Sequence, residues 1–170
     1  MTTFTFADVF RKLNDLKNTG IIRDYAVGGA TAVMFYAEPT RTYDVDVFVL
    51  FAGTPESPLI PLSDIYRWAE DGGFETKSEH IMIHGVPVQF LPAHNSLAEE
   101  AVDSALTHDY ESVPVRVIAP EHLVALAFQA GGSRQRERGW LLIESGKIDR
   151  TKLRELLARH QIDEDIDNEK

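Results

Sequence analysis

Apolar positions along this chain follow two rhythms, a spacing of three to four residues that marks helices and an alternation or short run that marks strands. Phe6, Val9, Phe10, Leu13 and Leu16 keep helical spacing, opened by a capping-box pair of Thr5 and Asp8 and closed by Gly20. Residues 25–27 are a short apolar run that stops at Gly28 and Gly29. Residues 30–36 then suit a helix on a core, and 43–51 alternate in β-branched and aromatic residues as a strand does. Residues 52–62, with Pro55, Pro58 and Pro61, read as loop, and 63–70 as a short helix stopped by Gly72 and Gly73. Residues 74–91 read as two strands about a His84-Gly85 turn. Ser96 and Glu99 open a helix with Leu97, Ala101, Val102, Ala105 and Leu106 on its inner stripe and Glu99, Glu100 and Asp103 toward water. Residues 110–118 are extended around Pro114, and Pro120 starts a helix to Gln129 that ends at Gly131 and Gly132. Two further helices follow, 133–145 with Trp140, Leu141 and Ile143 inward, and 149–161 with Leu153, Leu156 and Leu157 in register.

Candidate chemistry gathers between residues 25 and 50. Two glycines at a strand-to-helix junction permit a tight turn and close approach of a ligand, and the N–H groups opening the helix attract an anion such as phosphate. Asp44 and Asp46 lie two apart on the following strand, hence on one face and about 7 Å apart along it. Carboxylates set among Val45, Val47, Phe48 and Val49 are costly to bury unpaired, whereas oxygen-rich clusters are what hard cations such as Mg²⁺ select. A metal between the aspartates and a phosphate above the glycines describes nucleotide chemistry. The plain alternative is a buried strand whose aspartates are satisfied by backbone donors.

The ordered set Gly28, Gly29, Asp44, Val45, Asp46 resembles the glycine pair and two-aspartate strand of the polymerase-beta-like nucleotidyltransferase superfamily. Glu38, Pro39, Arg41 and Thr42 resemble its AbiEii-type branch, which contains toxin components of toxin–antitoxin systems. The resemblance implies an α/β (α+β) fold, a small mixed sheet flanked by helices with a helical C-terminal portion. It implies Mg²⁺- or Mn²⁺-dependent transfer of a nucleoside monophosphate from a nucleoside triphosphate to a hydroxyl of RNA, protein or a small molecule. Asp44 and Asp46 would hold metal, Gly28 and Gly29 would cradle phosphate, and Arg41 or Thr42 would touch the triphosphate. The family's third carboxylate falls on Gln89, and an amide cannot accept the hydroxyl proton at neutral pH. A turn at His84-Gly85 puts His80 across from Gln89, where an imidazole can serve as base or simply be a polar residue on a half-exposed strand. His80 and His84 would stand about 13 Å apart on a strand, too far to share zinc. The alternative is a non-catalytic nucleotide- or partner-binding protein of a toxin–antitoxin-like system, favoured by Gln89 and by Trp140, which stands where relatives have an aspartate. Arg134, Arg136 and Arg138 oppose the dipole of the helix they open, which an anionic ligand would relieve; a solvated basic face is the simpler reading.

Composition bounds these readings. The chain has 170 residues, no cysteine and a formal charge of −10. That length supports one main core: residues 1–118 as a nucleotidyltransferase-like unit, 119–162 as helices packed on it, and 163–170 as an acidic, solvated, disordered tail whose removal should leave stability unchanged. The charge argues against broad duplex-DNA or anionic-membrane binding, and the lack of any basic-then-apolar start or long apolar run points to a cytoplasmic protein. Cysteine-based nucleophiles, thiolate metal sites and disulfides are excluded.

Overall fold

The computed structural model describes residues 5–37, 42, 44–51 and 59–168, with the side chains of 59–61 left aside. Glu38, Pro39, Arg41 and most of the proline-rich segment, with Pro55 and Pro58, lie outside the described residues. The elements in order are α1 (Phe6–Asn18), β1 (Ile22–Gly28), α2 (Gly29–Val33), β2 (Val45–Phe51), α3 (Leu59–Asp71), β3 (Glu75–Lys77), β4 (His80–Ile83) and β5 (Val86–Pro92). Then come α4 (Ser96–Asp103), β6 (Leu106–Tyr110), β7 (Val113–Val117), α5 (Pro120–Ala130), α6 (Ser133–Glu144) and α7 (Arg150–Arg159). The strands form one seven-stranded mixed sheet in the order β3-β4-β5-β2-β1-β7-β6.

At its centre β2 runs antiparallel to β1 and parallel to β5. Every second residue of β2, Val45, Val47 and Val49, is fully buried. These valines join Tyr25 and Val27 of β1 and Phe10 and Leu13 of α1 in one continuous core that extends to α5 and α7 through Val124, Leu153 and Leu156. α1 starts where the pattern placed it, with the Thr5 N–H donating to the Asp8 carboxylate at 2.8 Å. α5 ends on Gly131 in the left-handed conformation (φ 80°), which lets the chain leave the helix and start α6 two residues later.

The structure departs from the sequence reading in several places, each with a local cause. α3 begins at Leu59, earlier than expected, with Pro61 in its first turn, where a missing N–H costs nothing. Residues 74–91 hold three strands, because Ser78 adopts φ 55° and turns the chain between β3 and β4. The helix expected to carry Ala105 and Leu106 ends at Asp103; Leu106 starts β6 and is 45% exposed. A β6–β7 hairpin replaces the single extended stretch, turning at Glu111 and Ser112 (φ 49° and 68°) with the Asp109 carboxylate accepting the Ser112 N–H at 2.9 Å. A turn with neither glycine nor asparagine gave no signal in the sequence. Leu142, not Leu141, is buried beside Ile143 on α6. The segment 163–168 is not a solvated end: Ile166 is 1% exposed, Glu164 pairs with Arg136, and Asp167 pairs with Arg154 at 2.9 Å.

Candidate active site

The aspartate pair sits where β2 begins. Gly28 and Gln89 are the lateral neighbours of Asp46 on β1 and β5, so Gln89 shares its face of the sheet. The same face continues through Phe48 and Leu91 into an apolar slot of about 160 Å³, closed by Leu123, Leu126 and Ala127 of α5 and by Arg138 of α6. Asp44, one residue before the strand, opens instead onto a cleft of about 540 Å³ that also meets Thr42, Lys77, His80, Arg134 and Arg138. Arg138 borders both spaces.

The two glycines meet different demands. A Cβ on Gly28 would lie 2.6 Å from the Phe48 ring, so the residue must be small for that ring to pack beneath the turn. Gly29 has φ +60°, and a Cβ there would collide with the Asp46 carboxylate. The left-handed turn thus brings bare backbone against a carboxylate, an arrangement open only to glycine. α2, which follows, is a single short helix of five residues.

Asp44 is held by its backbone. Its carbonyl accepts the hydroxyls of Thr31 and Thr42, each at 2.9 Å, with the two hydroxyls 3.4 Å apart. Thr31 is 1% exposed, so this anchor is internal and fixes the backbone just before β2. Thr42, expected to reach a triphosphate, makes this positioning contact and lines the cleft as well. His80 Nε2 lies 3.8 Å from Asp44 Oδ2. The β4–β5 pairing Ile81↔Val88, Met82↔Pro87 and Ile83↔Val86 carries the His84-Gly85 turn and stops one residue short of His80 and Gln89.

Burial pushes the Asp46 carboxyl above the ordinary carboxylate range, the like charge of Asp44 adds to that rise, and Arg138 and His80 oppose it. Among the described residues no hydrogen bond or ion pair joins the Asp46 carboxylate. A part-buried anion beside a second anion, with its positive neighbours outside contact distance, is a strained charge arrangement that a divalent cation would neutralise. No group of three or more His, Asp or Glu able to hold a metal occurs among the described residues. Two carboxylates alone fit Mg²⁺ when substrate phosphates and water complete its shell.

Comparison with known proteins bears on the architecture that carries this site. No family model and no curated protein matches the sequence. Solved structures do. The solution structure of the antibiotic-resistance factor ANT(2'')-Ia aligns with a TM-score of 0.51 and 16% identity over 92% of this chain and 91% of that one. The crystal structure of ANT(2'')-Ia in complex with adenylyl-2''-tobramycin gives 0.53 and 15% over 93% and 98%. An antigenic nucleotidyltransferase-like protein from Paracoccidioides brasiliensis gives 0.55 and 17% over 91% and 86%. The fold is that of a nucleotidyltransferase. Within this fold Gly28, Gly29 and Gln89 lie beside Asp46 and His80 lies near Asp44, whereas Asp44 precedes β2 instead of sharing a strand face with Asp46, and Arg41 lies outside the described residues.

The sequence reading missed four contributors. Thr31 gave no signal, since a buried threonine hydroxyl finds its partner only in the fold. Lys77 was hidden by the unrecognised β3–β4 turn. Arg134, Arg136 and Arg138 were read together, as a solvated face or, less simply, as a site for an anion; the structure separates them, tying Arg136 to Glu164 while the other two line the cleft. Their spacing of four residues was a usable clue, because it places both on one side of a helix while residue 136 points elsewhere.

Proposed function

We propose that this protein is a divalent-metal-dependent nucleotidyltransferase. The observation that carries the reading is the Asp44–Asp46 pair, Asp44 on the open cleft and Asp46 in the slot that Arg138 also borders, with the Gly29 turn against Asp46 and no hydrogen bond or ion pair to the Asp46 carboxylate among the described residues. In this reading Asp44 and Asp46 hold Mg²⁺ or Mn²⁺, and the Gly28-Gly29 turn and Arg138 receive the triphosphate. Bound metal offsets the charge that builds on the transferred phosphoryl group and departing pyrophosphate. The acceptor oxygen forms a bond to the α-phosphorus as the bond from the α-phosphorus to the bridging oxygen breaks, and pyrophosphate leaves. His80 takes the hydroxyl proton, since Gln89 offers an amide where a third carboxylate would stand. Thr31 and Thr42 keep Asp44 in place through its carbonyl. The complex of ANT(2'')-Ia with adenylyl-2''-tobramycin supports a nucleotide donor and a hydroxyl acceptor on such a fold.

The second reading is favoured by Gln89 itself: a nucleotide- or partner-binding protein that keeps the glycine turn and metal aspartates without the base. In this second reading the chain belongs to the AbiEii-type branch and binds a toxin–antitoxin partner. Incubation with α-labelled nucleoside triphosphates, Mn²⁺ and cell extract separates the readings. Transfer should be lost about 100-fold or more in His80→Ala if the imidazole is the base. A Gln89→Asp variant that gains activity over an inert wild type would instead identify a decayed enzyme, and no transfer by either protein would leave the binding reading standing.

A further inference from the structure

Arg134 and Arg138 stand apart from the other described arginines. Every other described arginine has a carboxylate within 4.0 Å, from Arg11 with Asp8 at 2.7 Å to Arg150 with Asp167 at 4.0 Å. Arg134 and Arg138 have none among the described residues; Arg138 donates to the neutral Gln135 side chain at 3.2 Å. In a chain with 27 acidic and 17 basic residues, carboxylates are plentiful, so two guanidiniums without one are a local exception. Both exceptions line the cleft that contains Asp44.

The two arginines also divide the cleft. Arg138 borders the slot formed by Gly29 and Asp46 and so lies on the side of the glycine turn. Arg134 lines only the outer cleft, with Lys77 of β3 and His80 of β4. Lys77 is paired loosely with the exposed Glu75, at 3.9 Å, and its ammonium remains available. Once a cation sits on the aspartates, the outer cleft presents positive groups from α6 and from the β3–β4 edge.

We infer that the acceptor which meets this cleft is anionic, a hydroxyl compound that carries phosphate close to its reacting oxygen, and that Arg134 and Lys77 bind that phosphate. The inference rests on the nucleotidyltransferase reading and names the acceptor class for it. Guanidinium and ammonium groups lining one open cleft bind phosphate oxygens and repel a polyamine sugar. The phosphate can belong to the 3′ end of a nucleic acid or to a small phosphorylated alcohol.

The test is equilibrium binding, which requires no turnover. A fluorescein-labelled short oligoribonucleotide with a free 3′ hydroxyl, glycerol 3-phosphate as the small probe, and tobramycin as the polycation are titrated into the full chain with Mg²⁺ and ATP. Oligonucleotide binding that weakens about tenfold in Arg134→Gln and again in Lys77→Gln, and that falls with salt, supports the nucleic-acid source. Binding of glycerol 3-phosphate with the same variant sensitivity and no oligonucleotide binding supports the small-molecule source. Tobramycin binding in preference to both, binding of neither phosphate probe, or equal affinities in wild type and Arg134→Gln would overturn the inference. ATP affinity, measured separately, should change less in Arg134→Gln than acceptor affinity does. Lack of ATP binding by the wild type would remove the nucleotidyltransferase reading itself, a failure distinct from that of the acceptor class.

Discussion

Glu100 on α4 and Asp46 on β2 are carboxylates in opposite circumstances. Glu100 accepts Arg159 at 2.7 Å, the Nε2–H of His122 at 2.9 Å and the Nε2 of His160 at 3.2 Å, which ties α4 to α5 and α7. Burial alone would pull its carboxyl up, but these three donors outweigh burial and hold it below the ordinary range. Asp46 has the same kinds of residue nearby, an arginine and a histidine, yet burial raises its carboxyl, and the largest charge influence on it is a second aspartate rather than a donor. One region has its charges satisfied within the fold. The other leaves Asp46 without a bonded partner among the described residues, and under the proposed function that difference, more than the number of charged residues, separates scaffold from site.

Altering the satisfied parts should cost stability without touching ligand binding. The largest effect is expected from deleting residues 163–170. Burial of Ile166 contributes about 2 kcal/mol, and the exposed pairs to Arg154 and Arg150 add little, so chemical denaturation should show a loss of about 2–3 kcal/mol. An unchanged midpoint would return the tail to the solvated state that its composition suggested. Glu100→Gln should cost less, about 1–2 kcal/mol, because an amide oxygen can still accept one of the three donors. Metal and nucleotide affinity should be unaffected, and a loss of ligand binding in Glu100→Gln would erase the distinction between the two regions.

The smallest effect is a pH dependence centred on His122, which is 3% exposed and whose Nδ1 has no partner. Burial holds its pKa below 6.5, against the raising influence of Glu100 and Glu121, with Lys152 adding to the depression. A group depressed in the fold contributes stability that is complete above its unfolded value and lost as pH falls through the folded one. Glu100, depressed below 4.5, acts in the same direction at lower pH. The melting temperature should therefore be level above about pH 7 and decline below about 6.5. His122→Gln should flatten the upper part of that decline, and a wild-type curve that rises on acidification would contradict the assignment.

How far the sequence revealed all this depended on whether a feature is local. Thr5–Asp8 capping, the β2 alternation and the Gly28-Gly29 break are fixed by neighbours in the chain, and each was readable. The register that sets Asp46 beside Gln89 is non-local; the sequence pointed to Gln89 only through the resemblance, which puts a third carboxylate there, while the turn at His84-Gly85 bears on the pairing of β4 with β5 alone. Turns at Ser78 and at Glu111-Ser112 were not readable, since residues without a glycine signal adopt positive φ there under tertiary constraint. The same limit hid the partners of Glu100, which lie 22, 59 and 60 residues away. Arg134 and Arg138 were legible as a basic helix face, and their spacing of four sets them apart from residue 136, but what each side meets depends on the packing of α6 against α5 and α2.

The central claim, that Asp46 is left unsatisfied for a metal-bound nucleotide, is tested most directly by melting wild type and Asp46→Asn with and without Mg²⁺ and ATP. Removal of the negative charge beside Asp44 should raise the melting temperature of the ligand-free variant above that of the wild type. Mg²⁺ with ATP at about 100 times its dissociation constant should stabilise the wild type by about 2.7 kcal/mol through mass action. The same addition should leave Asp46→Asn unmoved. An equal ligand-induced shift in both proteins, or a wild type indifferent to millimolar metal and nucleotide, would contradict the account.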